Sequence, residues 1–207
     1  MPAKLDLLTP TEAAVVAGVT VRDVNRIIDT RVLPERFYAW KGGRRLRSSG
    51  CTYVRFYVHA AGQLTADERA LLIERAAAQT RPDTSEWTIQ DGFLTYDLTT
   101  MAADTEARLS KLERARELVV EDPEILSGTP VIRGTRVPVY DVAASVAAGL
   151  SVSDILEGYP SLNEEKVELA VIFADATPQR GRPRRMHEIN PSLKVISSKK
   201  AAVREAG

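Results

Sequence analysis

Thr9-Pro10-Thr11-Glu12-Ala13-Ala14-Val15-Val16-Ala17-Gly18-Val19-Thr20-Val21-Arg22-Asp23-Val24-Asn25-Arg26-Ile27-Ile28-Asp29 holds two helices and the turn between them. Thr9 is a helix cap and Glu12 places a carboxylate in the first turn. Ala13, Ala14, Val16 and Ala17 supply a small, close-packing apolar face. Gly18 stops the helix, because glycine takes the left-handed backbone that a tight turn requires. Thr20, with Asp23 three residues on, opens the second helix, and Val21, Val24, Ile27 and Ile28 are spaced to face the core. Arg22, Asn25, Arg26 and Asp29 are left outward. Arginine and asparagine pair bidentately with guanine and adenine edges. The stretch predicts a DNA-reading helix-turn-helix.

Downstream, Arg31-Val32-Leu33-Pro34 leaves the helix. Phe37-Tyr38-Ala39-Trp40 and Thr52-Tyr53-Val54-Arg55-Phe56-Tyr57-Val58 read as two strands. The polar loop between them, from Lys41 to Gly50, carries Lys41, Arg44, Arg45 and Arg47 and no acid. A basic hairpin after a helix-turn-helix has the character of a wing whose cations lie against phosphates. Residues 1–62 are therefore expected to form a winged DNA-binding domain, with Arg22, Asn25, Arg26, Lys41, Arg44, Arg45 and Arg47 as contacts. The stretch Leu8 to Pro34 resembles the N-terminal half of MerR-type and excisionase-type DNA-binding domains, with Glu12-Ala13-Ala14, Ala17-Gly18-Val19 and Leu33-Pro34 in their usual order.

The 207-residue chain has 28 basic and 28 acidic side chains, but they are unevenly placed. Residues 1–62 hold ten Lys/Arg against five Asp/Glu, residues 63–176 hold 10 against 21, and residues 177–207 hold eight against two. Two basic ends around an acidic middle imply two contacts with anionic surfaces.

Residues 63–118 read as a connector. Thr65 caps a helix from Leu64 to Gln79 with Glu68 completing the box, and Leu71, Leu72 and Ile73 form its apolar side. Glu86 to Gln90 and Phe93 to Leu98 form a hairpin about Asp91-Gly92. Thr105 to Leu118 returns to helix, with Leu109, Leu112 and Ala115 or Arg116 on one side. Nothing in this segment carries chemistry, and dimerisation and spacing both remain open as its work.

From Val119 a β-ribbon is expected. Pro130-Val131-Ile132 and Val137-Pro138-Val139 flank the turn Arg133-Gly134-Thr135-Arg136, and both prolines imply edge strands. Three helices follow: Tyr140 to Ala148, closed by Gly149; Ile155 to Gly158, boxed by Ser151 and Asp154; and one through Ala174, started by Ser161 and Glu164. The block from Asp122 to about Pro178 closely resembles the domain-of-unknown-function 433 family of small VapB-type antitoxins. Ser127-Gly128-Thr129-Pro130, Arg133-Gly134-Thr135-Arg136, Val137-Pro138-Val139, Gly149-Leu150-Ser151, Asp154-Ile155-Leu156, Tyr159-Pro160 and Leu162 carry the match. The resemblance implies a trihelical helix-turn-helix behind a β-ribbon, with Gly128, Pro130, Arg133, Gly134, Thr135 and Arg136 as its structural motif. It also implies a partner, a PIN-like ribonuclease toxin held inactive, and repression of the chain's own operon. The recognition-helix position of this second unit shows Glu164, Glu165 and Glu168 against Lys166 alone, so phosphates would be repelled. Residues 119–178 are accordingly assigned to dimerisation and toxin docking.

The basic tail, 179–207, opens with Arg180-Gly181-Arg182-Pro183, the core of an AT-hook that lies in a narrow minor groove. The favoured alternative is an inhibitory arm: Arg180, Arg182, Arg184 and Arg185 would pair with the acidic centre of the nuclease, anchored by Ile189, Leu193, Val195 and Ile196.

His59 and His187 are far apart, and no metal-ligand spacing or phosphate-cradling loop is present. Carboxylate pairs such as Asp67-Glu68, Glu121-Asp122 and Glu164-Glu165 lie at helix starts or turns, where capping explains them. Cys51 is alone, which excludes an internal disulfide. No enzyme, cofactor, metal or membrane span is expected. The expected protein is mainly α with short β-hairpins, built from an N-terminal winged helix-turn-helix and a C-terminal trihelical unit with a β-ribbon. It is expected to be cytoplasmic and homodimeric, joining a toxin in a larger hetero-oligomer and binding operator DNA. A stand-alone transcriptional regulator with an AT-hook-like tail is the alternative.

Overall fold

The computed structural model describes residues 6–40, 42–79 and 87–179. It is mainly helical with short β pairs. Strand β1 (Leu7–Leu8) leads into α1 (Pro10–Ala17) and α2 (Val21–Asp29). Gly18 closes α1 at φ +65°, as its position in the turn demands. Val24, Ile27 and Ile28 are buried as expected, but Val21 is 38% exposed. As the first residue of α2, Val21 lies on the rim of the turn, where no neighbouring element covers it.

The wing is smaller than predicted. Strands β2 (Tyr38–Ala39) and β3 (Arg45–Arg47) pair antiparallel, and β1 adds to β3, giving the order β1-β3-β2. The returning strand thus comes from the basic loop itself. Leu46 is buried between two half-exposed arginines, in the alternation of a half-buried strand.

Residues 52–58, expected as a strand, belong to helix α3 (Cys51–His59). β-Branched and aromatic residues favour strands where one face is open. Here Cys51, Thr52, Tyr53, Val54 and Phe56 are all buried, and burial on several sides overrides that preference.

Helix α4 (Ala66–Gln79) is capped by Thr65 and Glu68. Leu72 and Ile73 are buried, whereas Leu71 is 46% exposed. The hairpin β4 (Thr88–Asp91) and β5 (Leu94–Asp97) turns at Gly92-Phe93, one residue later than expected, with Gly92 at φ +61° and Phe93 fully out in solvent. Helix α5 (Thr99–Leu118) begins a turn and a half earlier than the sequence suggested, because Asp97 accepts the Thr99 N–H at 2.8 Å and starts it.

The β-ribbon is reduced to one bridge, Val131 to Pro138. The ladder of β7 (Val131–Ile132) is made instead with β6 (Val119–Val120), directly after α5. Val139 already belongs to α6 (Val139–Ala147). Helix α7 (Val152–Gly158) has the full Ser151–Asp154 capping box. Helix α8 (Glu164–Ala176) is capped by Asn163 rather than Ser161, the Asn163 side chain accepting the Lys166 N–H at 2.9 Å.

Two apolar clusters form the core. The first gathers α1 to α4, the wing, Ile89, Leu109 and Leu112, and closes on Ala176 of α8. The second gathers Ala115, Ile132, Val139, Val142, Ile155, Val167, Ala170 and Phe173. Helices α5 and α8 pack along each other and contribute to both, and Ile172 touches both clusters. Helix α1 packs against α5 and α8 as well as against α2. The residues read as a connector therefore lie largely inside the first core.

Candidate nucleic-acid interface

The helix-turn-helix is held at its first turn by a reciprocal cap. The Thr9 N–H donates to Glu12 Oε2 at 2.7 Å, and the Glu12 N–H donates to Thr9 Oγ1 at 3.3 Å. Glu12 is buried, and its second oxygen accepts Arg116 from α5. At the other end of α1, Arg55 Nη1 donates to the Ala17 carbonyl at 3.1 Å while Nη2 reaches Asp104 at 3.2 Å. A half-buried cation thereby satisfies the negative end of α1.

This clamped pair presents the solvent face of α2. Arg22 and Arg26 are exposed and Asn25 half-exposed. Arg26 Nη2 lies 2.8 Å from Asp23 Oδ1, so its guanidinium is pre-oriented along the helix. Arg44, returning from the wing tip, pairs with Asp29 Oδ1 at 2.7 Å and sets the wing beside the C-terminal end of α2. Arg45 is half-exposed and, among the described residues, has no carboxylate partner.

Arg47 is placed differently. It pairs with Asp6 and its Nε donates to the Arg36 carbonyl at 3.0 Å, so it ties β1 to the wing. Lys41 lies outside the described residues.

Sequence reasoning missed Tyr38. Its hydroxyl accepts the Leu33 N–H at 2.9 Å and donates to the Ile27 carbonyl at 3.2 Å, fixing the wing to the end of α2. Burial pushes its pKa above the ordinary tyrosine value. Aromatic residues on β2 were visible, but the partners of Tyr38 are set by the tertiary path.

In the C-terminal half, the signature residues build a junction. Arg133 Nε donates to the Glu117 carbonyl at 2.9 Å and its N–H to the Leu118 carbonyl at 2.7 Å, capping α5. Gly134 takes φ +76°. Thr135 Oγ1 donates to the Ile132 carbonyl at 2.7 Å and accepts the Val137 N–H at 3.1 Å, closing the turn. Gly128, at φ +82°, ends a left-handed run with Leu126 and Ser127. The Pro130 carbonyl accepts the first N–H of α6 at 3.0 Å. Arg136 is exposed.

The glutamates of α8 meet cations of α5: Glu165 pairs with Arg114, and Glu168 with Lys111 at 2.5 Å. Helix α8 is packed by α1, α5, α6 and α7, and what it leaves exposed is acidic, Glu164, Glu165 and Glu168 among it. The tail residues Arg180, Arg182, Arg184, Arg185, Ile189, Leu193, Val195 and Ile196 lie outside the described residues.

Cys51 is buried and its thiol is pushed up to about 12 by desolvation. Among the described residues, no group of three or more His, Cys, Asp or Glu is placed to hold a metal ion, and no helix is long and apolar enough to cross a membrane.

Residues 119–174 match the family described as "Protein of unknown function (DUF433)". The matched residues are packed onto the N-terminal helices and the small sheet β1-β3-β2 through α5 and α8. It is 45% identical over 213 residues to "Uncharacterized protein y4eO" of Sinorhizobium fredii (strain NBRC 101917 / NGR234), an alignment covering 99% of this chain and 96% of that protein. The chain belongs to the same family as y4eO. No solved structure matches the chain.

Proposed function

We propose that this protein binds double-stranded DNA through its N-terminal half and serves as the antitoxin of a type II toxin–antitoxin pair, neutralising a PIN-like ribonuclease and repressing its own operon. The observation that carries the DNA-binding part is the placement of Arg22, Asn25 and Arg26 on the open face of α2, with the wing pinned beside it by Arg44 and Asp29. Side chains able to read base edges stand next to cations able to hold phosphates. Asp23 and Asp29 hold Arg26 and Arg44 in the free protein, and phosphate oxygens would take their place on binding.

The antitoxin part rests on the DUF433 region and on the charge of its outer helix. With Glu164, Glu165 and Glu168 exposed on α8, that half suits a protein partner better than a second DNA contact. Homodimerisation, a larger complex with the toxin, and work in the cytoplasm belong to the same reading. The Arg180-Gly181-Arg182-Pro183 motif favours a second reading, a stand-alone regulator whose tail enters a minor groove.

Two measurements test the proposal. Titration of the full chain into a labelled duplex from the region upstream of its gene should give binding that weakens steeply with salt, and Arg22→Ala with Arg26→Ala should abolish sequence preference. Co-expression with the product of the adjacent gene should rescue growth with the full chain and fail with residues 1–178. Rescue by both would move the inhibitory contact into 119–178. A non-toxic neighbour would leave the stand-alone regulator.

A further inference from the structure

Helix α2 ends in a Schellman arrangement. The Val32 N–H donates to the Ile27 carbonyl at 3.2 Å, and the Arg31 N–H to the Ile28 carbonyl at 3.3 Å. The residue between helix and exit in this motif takes the left-handed conformation, and glycine is the residue that does so at least cost. Here that position is Arg31, at φ +52°.

The strained arginine is not buried as a structural prop. Its side chain is 54% exposed, pairs with Glu35 at 2.6 Å and lies with its guanidinium carbon 4.9 Å from the centre of the Trp40 ring. Trp40 is itself 47% exposed on the wing. A large indole left half in solvent, stacked with a cation held in an unfavourable backbone conformation, is a combination that folding alone does not call for.

Its position is specific. Trp40 is joined across the wing tip to Gly43, whose N–H donates to the Trp40 carbonyl at 3.4 Å, and Arg44 follows directly. Arg44 holds Asp29, two residues before Arg31. Arg26, Thr30 and Arg31 also line a cleft together with Asp67 and Glu74 of α4. Arg31 thus stands at the C-terminal end of α2 with Trp40 of the wing against it.

We infer that Arg31 and Trp40 form a contact platform for duplex DNA, continuous with the α2 face: Arg31 donates to a backbone phosphate while the exposed part of the Trp40 ring, steadied from within by the Tyr38 ring 6.4 Å away, packs on the adjoining deoxyribose. This inference rests on the DNA-binding reading above and extends it to two residues outside the basic loop and the α2 face. Glu35 holds Nη1 of Arg31 in the free protein and a phosphate oxygen would take its place, while the indole beside it excludes water from the same contact.

The test uses the full chain and a labelled mixed-sequence duplex at low salt. Arg31→Gly relieves the left-handed strain, so its melting temperature should equal or exceed that of the unaltered protein while its DNA affinity falls about tenfold and the salt slope drops by about one. Trp40→Ala should weaken binding by about fivefold to tenfold with the salt slope unchanged, as expected for loss of an apolar or stacking contact. In a Trp87→Phe background, Trp40 fluorescence should change on adding the duplex. Unaltered affinity in both Arg31→Gly and Trp40→Ala, with silent Trp40 fluorescence, overturns the platform while Arg22→Ala with Arg26→Ala still weakens binding and preserves the broader reading. Failure of the unaltered protein to bind any duplex overturns both.

Discussion

At Gly18 two demands meet. The backbone is left-handed, and an added Cβ would stand 2.6 Å from Arg55 Nη1, the group that caps α1. Gly18→Ala should therefore lower stability by about 1–3 kcal/mol, combining left-handed strain with displacement of a cap. Urea unfolding checks this, and adding Arg55→Ala should make the Gly18 change less costly, since the shortest contact is then gone and only Arg108, at 3.2 Å, is left close. Equal costs of Gly18→Ala with and without Arg55 would mean that displacing Arg55 contributes nothing, leaving backbone strain and the Arg108 contact as the cause. Cys51 gives a pH expectation. Its folded thiol titrates well above the unfolded value, so the fold's preference for the neutral form is fully present below about pH 8.5. That preference is lost as pH rises towards about 12. At pH 8 the native protein should react with a thiol reagent far more slowly than the urea-unfolded chain. Equal rates would show that Cys51 is not enclosed.

At the scale of elements, the wing separates its own arginines. Arg45→Ala should weaken DNA binding across sequences and lower the salt slope by about one, with little change in melting temperature. Arg47→Ala should instead reduce the melting temperature, because Asp6 and the Arg36 carbonyl lose their tie. The opposite pattern would exchange their roles. Elements with local punctuation were legible in the sequence: the Thr9–Glu12, Thr65–Glu68 and Ser151–Asp154 boxes, the Gly18 and Gly149 stops, and the outward placement of Arg22, Asn25 and Arg26 all depend on neighbours within a few residues. Helix α3 was not, because a run buried on several sides shows no periodicity to read. Strand β6 was not either, since two residues become a strand only through a partner, here Val131 and Ile132. Tyr38 and Arg47 escaped for the same reason: the groups they hold are brought to them by the fold.

For the whole molecule, the shared helices α5 and α8 set the expectation. Both tryptophans, Trp40 and Trp87, lie in the N-terminal half, while helical signal in circular dichroism comes from the entire chain. If the two clusters form one cooperative unit, tryptophan fluorescence and circular dichroism should report the same urea midpoint. A chain cut to 1–118 would lose Ala176 and Ile172 from its first core and should melt at lower temperature than the full protein. Separate midpoints, with an undisturbed 1–118 fragment, would show two independent units.

Helix α1 leans on α2 with one side and on α5 and α8 with the other, and its buried Glu12 is answered from α5. That arrangement restricts how such proteins can be assembled from parts. A segment carrying α5 to α8 grafted behind an unrelated N-terminal unit would meet a surface without a carboxylate for Arg116 and without the α1 side that packs on α8. The N-terminal half of this protein is therefore not an interchangeable cassette: any recombination that preserved its packing would have to carry the back of α1, with Glu12, across the splice.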